Sequence, residues 1–228
     1  SDLLEGSIRD DLERRAHRAM AVLNPLKVVV TNWDQAPLEL DVPWHPKHSE
    51  LGSRTMLFGR ELLIDRSDFE LDPPDGFFRL FPGGSVRLKY GFIVDFVDVV
   101  LDAEGQVFEV HVRYDPVTRS GQDQSGRKVK GTIHWVHEAS AREVDVRLYD
   151  RLFTVPDPGN YEDPASVMNP ESLIDGQALV EPALGTLMAD AYFQFERVGF
   201  FIQDSESSDD RIVYNRSVTL KDAWAKKK

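Results

Sequence analysis

The chain has 228 residues, 41% hydrophobic and 29% charged, the balance of a folded globular protein with room for one large β domain or two smaller ones. It has no cysteine, which excludes disulfides and thiolate metal sites, and no apolar run approaching the roughly 18–20 residues of a membrane-crossing helix. A formal net charge of -12 argues against nucleic acid as a partner unless a basic patch acts locally, within a Debye length of about 10 Å.

The chain opens Ser1-Asp2-Leu3-Leu4-Glu5, without the basic start or apolar core of a secretion signal, so a cytoplasmic chain is expected. Ile8, Leu12 and Ala16 recur at four-residue intervals and predict an amphipathic helix over 7–20, with Ser7 as its N-cap and Arg14 and Arg18 on its other face. Beyond Leu26 that period gives way to β-rich runs separated by Gly, Pro, Asn and Asp. The clearest predicted strands are 27–31, 86–94, 107–114, 129–136, 144–153, 193–202 and 212–220. In Val86-Arg87-Leu88-Lys89-Tyr90 the apolar residues face a core and Arg87 and Lys89 project together from the other side. Pro82-Gly83-Gly84 reads as a break and Asp102-Ala103-Glu104-Gly105 as a hairpin turn, so antiparallel pairing is expected. Residues 119–127 and 154–170 read as long loops, and Lys226-Lys227-Lys228 as a solvated tail.

The residues of catalysis are not assembled in any recognisable pattern. His45 with His48, and His134 with His137, lack a nearby third ligand for zinc, and read as loop or strand histidines bonded to backbone. Pro82-Gly83-Gly84-Ser85 lacks the Lys-Ser/Thr ending of a phosphate loop. Acid pairs such as Glu162-Asp163 and Asp209-Asp210 are expected by chance in so acidic a chain, and a hydrolase on a β-sandwich is the weakest reading. What stands out is a set of strand cations, Arg79, Arg87, Lys89, Lys128, Lys130, Arg147, Arg151, Arg197 and Arg216, among 13 Phe and 4 Trp. Cations interleaved with aromatics suit splayed single-stranded bases, though an ordinary β surface alternates in the same way.

Longer strings decide between those readings. Arg18-Ala19-Met20-Ala21-Val22 followed by Asn24-Pro25-Leu26-Lys27-Val28, then GSRTMLFGRELLIDRSDF, VRLKYGFIV, GRKVKGTIHWV, VRLYDRLFTVPDPG, NPESL, FQFERVGFF and NRSVTLKDAWAK, run in collinear order from residue 18 to 226. They resemble the C-terminal anticodon-binding region of glutaminyl-tRNA synthetases, in the class I aminoacyl-tRNA synthetase family. The resemblance implies a mainly β fold of two antiparallel barrels, proximal and distal, akin to ribosomal L25 proteins, with a short N-terminal helix. It implies a helical connector at 1–22, a distal barrel at about 45–135, and a proximal barrel built from 23–44 and 136–228. The His-Ile-Gly-His and Lys-Met-Ser-Lys-Ser motifs of such enzymes are absent from this stretch. The region is therefore expected to bind tRNA-Gln and hold no cofactor, with ATP and Mg used by a catalytic domain elsewhere in the same chain. A monomer without membrane contact is expected.

Family contacts carry over where residues match. Arg18, Gln194 and Arg197 coincide with residues that hold the middle anticodon base; Arg79 with a cation near the third; Arg87 and Lys89 with a pair near the first. Phe78 stands where the family has a lysine, and Lys89 where it has an arginine. Gln194 and Arg197 have opposite parity on a strand and can meet one base only near a strand end or bulge. Loop 154–170 is implied to lie towards the catalytic core. A glutamyl-tRNA synthetase of the archaeal or eukaryotic type, and a free-standing L25-like rRNA binder, remain as alternatives.

Overall fold

The computed structural model describes residues 2–188 and 190–220, so the lysine run at 226–228 lies outside the described residues. It has one α-helix, α1 (Asp2–Arg15), and the strands β1 (His17–Ala19), β2 (Ala21–Val22), β3 (Pro25–Val30), β4 (Leu38–Pro43), β5 (Ser53–Phe58), β6 (Glu61–Asp65), β7 (Ser85–Leu88) and β8 (Ile93–Leu101). There follow β9 (Val107–Tyr114), β10 (Thr132–Ile133), β11 (Trp135–His137), β12 (Arg142–Tyr149), β13 (Leu173–Val180), β14 (Tyr192–Phe195), β15 (Gly199–Gln203) and β16 (Val213–Thr219). The strands form two seven-stranded, nearly closed sheets and a two-stranded ribbon, β4 with β5, so the expected mainly β fold of two barrels with one N-terminal helix is what the chain adopts. Four pairings, β1–β14, β3–β9, β7–β10 and β12–β16, are parallel rather than antiparallel. Each joins stretches far apart in sequence, which no hairpin turn could announce.

The chain divides into two compact units. The first comprises Ser1–Ala19, Val144–Ala178 and Thr186–Lys228. Its strands run in the order β1-β14-β15-β16-β12-β13. Phe195 stacks on Phe201 with ring centroids 4.2 Å apart, and Tyr214 meets Phe195 edge-on at 5.2 Å, so aromatic packing holds β14, β15 and β16 together. Leu12 and Ala16 bury against Phe200 and Val218, as the four-residue spacing predicted. The helix nevertheless starts before Ser7, which is no cap: its hydroxyl donates to the Leu3 carbonyl inside the helix at 2.9 Å. It also ends at Arg15, and residues 17–19, expected as helix, are extended in β1.

The second unit comprises Met20–Glu143 and Leu179–Gly185. Its sheet order is β10-β7-β8-β9-β3-β6-β11. Val28, Leu62, Ile64, Val86, Leu88, Val110, Val112 and Trp135 fill its core, with Phe58 edge-on to Trp135 at 5.3 Å. Residues 23–44, expected with the C-terminal barrel, pack here instead, because β3 pairs with both β6 and β9 and Trp33 packs on Phe58. Within this unit the Arg54 guanidinium forks onto Glu181, Nε to Oε1 at 2.6 Å and Nη2 to Oε2 at 2.7 Å, and Glu181 also accepts from the Met20 N–H at 3.0 Å. That buried fork ties β5, the chain around Met20 and the 179–185 segment to one another.

Two predicted strands prove to be hairpins. The run 86–94 turns at Tyr90 and Gly91, where Gly91 N–H donates to the Leu88 carbonyl and Tyr90 adopts φ 62°. Tyr90, expected to face the core beside Leu88, is half-buried in that turn and packs against the core. The run 193–202 is β14 and β15 joined by a turn in which Arg197 takes φ 67°. The turn at 102–105 joins β8 to β9 as read from the sequence, with the Asp102 N–H donating to the Gln106 carbonyl and the Gly105 N–H to that of Asp102.

Candidate nucleic-acid interface

The predicted site residues divide between the two units. In the first, Arg18 stands at the centre of β1 directly opposite Gln194 on β14, because those strands run parallel in that register. Arg18 is 5% exposed and Gln194 9% exposed, so both functional groups are largely withdrawn from solvent. The Arg18 Nη2 donates to the Glu13 carbonyl at 2.9 Å and to the Glu13 carboxylate at 2.7 Å. Two residues past the end of β14, Arg197 is exposed in the hairpin turn, held by the Val198 N–H bond to the Phe195 carbonyl at 2.9 Å. The parity conflict between Gln194 and Arg197 disappears, since only Gln194 lies on the strand.

In the second unit, Gly131 draws two segments together. A Cβ on it would sit 1.7 Å from the Phe78 carbonyl oxygen, so only glycine lets these backbones meet. The Gly131 carbonyl accepts from the Arg87 N–H at 3.0 Å, which sets β7 alongside. Beside this crossing lies a cavity of about 400 Å³ lined by Phe77, Phe78, Arg79, Phe81, Lys128 and Lys130 among others. Phe78 is 53% exposed and carries the Lys130 ammonium 4.9 Å from its ring centroid, a cation–π pair. The Arg79 Nε lies 3.1 Å from the buried Asp68 carboxylate.

Arg87 donates to the Thr118 carbonyl at 2.7 Å, to the Ser120 hydroxyl at 3.2 Å and to Asp123 at 2.6 Å. The Ser125 hydroxyl and N–H, with Arg87 behind them, hold the Asp123 carboxyl below the usual carboxylate range. Lys89 is placed by its backbone, donating to Ile133 at 3.0 Å and accepting from the Trp135 indole at 2.8 Å, with its ammonium 5.6 Å from the Tyr90 ring.

The expectation of open guanidiniums is thus only partly met. Arg197 is exposed and Arg79 is half-buried and paired with Asp68, whereas Arg18 and Arg87 are sequestered by Glu13 and Asp123. Of the other strand cations, Arg147 pairs with Asp204 and Glu206, and Arg151 with Glu5, so they brace the first unit. Phe77 and Phe81, which also line this cavity, are not among the residues singled out from the sequence, while Lys128 and Lys130 are read there as strand cations without an assigned base. No group of three or more His, Asp or Glu side chains fit to hold a metal occurs among the described residues. The His45 ring accepts from the Lys47 N–H at 3.1 Å, a loop histidine bonded to backbone. No described helix is long and apolar enough to cross a membrane.

Comparison with known proteins bears on this arrangement. Residues 16–115 and 132–204 each match a family model described as tRNA synthetases class I (E and Q), anti-codon binding domain. The chain is 48% identical over 227 residues to a glutamine–tRNA ligase of Rhodopirellula baltica, covering 98% of this chain. It is 48% identical over 230 residues to one of Cupriavidus taiwanensis and 46% identical over 225 residues to one of Salmonella heidelberg, again over 98% of the chain. It spans 38%, 39% and 40% of the length of these three relatives.

Proposed function

Because this chain belongs to the anticodon-binding domains of the class I tRNA synthetases (E and Q), we propose that it grips the anticodon loop of tRNA-Gln as part of a glutamine–tRNA ligase. The observation that carries this reading is near-half identity along 98% of the chain to ligases named for glutamine, which favours glutamine over glutamate. ATP, Mg and glutamine are handled by a catalytic domain elsewhere in the longer protein, which works in the cytoplasm as a monomer, and residues 1–22 connect to it. This stretch supplies binding alone.

Arg18, Gln194 and Arg197 take the middle base, a uracil in both glutamine anticodons. The register of Arg18 with Gln194 supports a shared target, since neighbouring residues of a parallel pair project from the same face. Arg79, with Phe78 as a stacking surface, takes the third base, guanine, whose O6 and N7 accept an arginine fork. Arg87 and Lys89 take the first. The test is binding of transcripts that differ only at the middle anticodon base. The unaltered chain is expected to discriminate by about 1–3 kcal/mol, and Arg197→Ala to lose that discrimination while keeping preference at the third base. Undiminished discrimination by the variant overturns the assignment.

A further inference from the structure

A second cavity in the Met20–Glu143 unit is larger and holds none of the residues assigned to the anticodon. It measures about 910 Å³, within the roughly 300–1,000 Å³ range of small-molecule sites. Trp33, Phe92 and Tyr114 form one side, with Tyr114 5.0 Å from the Trp33 ring and 5.2 Å from that of Phe92. Arg119, Gln122 and Gln124 come from the loop after β9. In a chain of net charge -12, not one lining residue is acidic.

Four polar side chains that line the cavity, Trp33, Arg119, Gln122 and Gln124, are unspent, whereas the Ser125 hydroxyl is bonded to Asp123 and Arg127. Trp33 is 3% exposed, and its indole N–H makes no hydrogen bond among the described residues. A buried donor left so costs stability unless something outside the chain accepts from it, and Trp33 lines this cavity. The Arg119 guanidinium and the side-chain amides of Gln122 and Gln124 are likewise without hydrogen-bond or ion-pair partners among the described residues, whereas the neighbouring Arg127 is saturated by Asp95 and Asp115. The loop itself is held firmly, since Arg87 grips Thr118, Ser120 and Asp123 along its length.

Flat aromatic faces, amides that donate and accept, and one cation free of carboxylates match a planar heterocycle bearing an anion. We infer that this cavity takes one unstacked nucleobase, with its phosphate on Arg119, in addition to the three bases assigned to the anticodon. The source can be a further nucleotide of bound RNA, which rests on the proposed reading above, or a free mononucleotide.

The experiment follows the indole N–H resonance of Trp33 in the ¹⁵N-labelled whole chain, identified by its loss in Trp33→Phe, while AMP, CMP, GMP or UMP is added to about 10 mM, and separately with tRNA-Gln transcript. Transcript binding is then measured for Arg119→Ala and for Gln122→Ala/Gln124→Ala. If the source is RNA, transcript moves the resonance and each variant weakens transcript binding by roughly fivefold or more, with middle-base preference intact. If the source is free nucleotide, a mononucleotide moves the resonance, Arg119→Ala abolishes that shift, and transcript affinity is unaltered. A resonance unmoved by every mononucleotide and by transcript bound with anticodon preference overturns the inference and leaves the proposed function standing. Absence of any transcript complex, with the mononucleotide response present, overturns the proposed function and leaves the cavity as a nucleotide site.

Discussion

On the proposed reading, RNA at Arg18 competes with a partner already in place. The Glu13 carboxylate, 63% exposed, lies 2.7 Å from its Nη2, so an incoming phosphate or uracil carbonyl competes with a charge in place. The carboxylate also fixes the guanidinium's orientation, which lowers the ordering cost of binding. Exposed carboxylate pairs are worth little, about 0.2–1 kcal/mol, so Glu13→Gln is expected to tighten transcript binding by roughly 1.5- to 5-fold at low salt, read by fluorescence anisotropy. A weaker complex would mean that Glu13 serves chiefly to position Arg18. Lys89 presents a point charge where an arginine would present a fork, which suits its proposed place at a first position that must accept both C and U. Lys89→Arg is expected to change the ratio of affinities for CUG and UUG transcripts; an unchanged ratio counts against the assignment. These residues were legible because they sit in family-like strings. Their burial was not, since Glu13 and Asp123 lie outside every string quoted for the resemblance.

At the scale of elements, what sequence pattern revealed and what it hid have physical reasons. β9 runs over the predicted residues because it alternates along a well-defined sheet face. The start of α1 was misplaced although Leu4 continues the four-residue series of Ile8, Leu12 and Ala16; in the structure Leu3 and Leu4 are 88% and 67% exposed, so burial does little to hold this first turn. Local bonds extend that helix instead, including Glu5 with Arg9 at 2.9 Å. The turn at Arg197 was hidden because Glu196-Arg197-Val198 carries none of the Gly, Asn or Pro that mark left-handed backbone. One glycine carries the close approach beside Phe78 and Arg79, the region proposed for the third base. Gly131→Ala forces apart the backbone at Phe78 and the strand bearing Arg87, at a cost of roughly 3 kcal/mol or more in urea unfolding. Loss of third-base preference should accompany it, measured at a temperature where the variant remains folded. Normal stability would contradict the close approach described here.

Across the whole molecule, acidity and function pull in opposite directions. Many of the 39 acids are engaged: Asp95 with Arg127 and Ser85, Asp204 with Asn215 and Arg147, and Glu61 with Lys27. For Asp95, burial pushes the carboxyl up, but the bonds from Arg127 and Ser85 outweigh it and leave it below its ordinary range. A carboxyl depressed in the folded state stabilises the fold above its unfolded value, and that contribution is lost as pH falls through the folded value. The chain is therefore expected to keep a constant urea midpoint at neutral pH and to lose stability once acidified below the usual carboxylate range. Asp95→Asn should lie lower at neutral pH and converge on the unaltered chain in acid; parallel curves would remove Asp95 from this account.

Net charge of -12 also opposes RNA at long range, so on the proposed function the attraction comes from the cations around Phe78, Arg79, Lys128 and Lys130 together with Arg197. The most direct measurement is the affinity of the whole chain for tRNA-Gln transcript over a salt series, beside the same transcript with its three anticodon bases replaced. The account predicts a cognate complex whose log affinity falls linearly with log salt, by roughly 0.7–0.9 per phosphate contact, and an anticodon-replaced transcript bound weakly at every salt. Equal affinity for the two transcripts, or no complex with either at low salt, would contradict it.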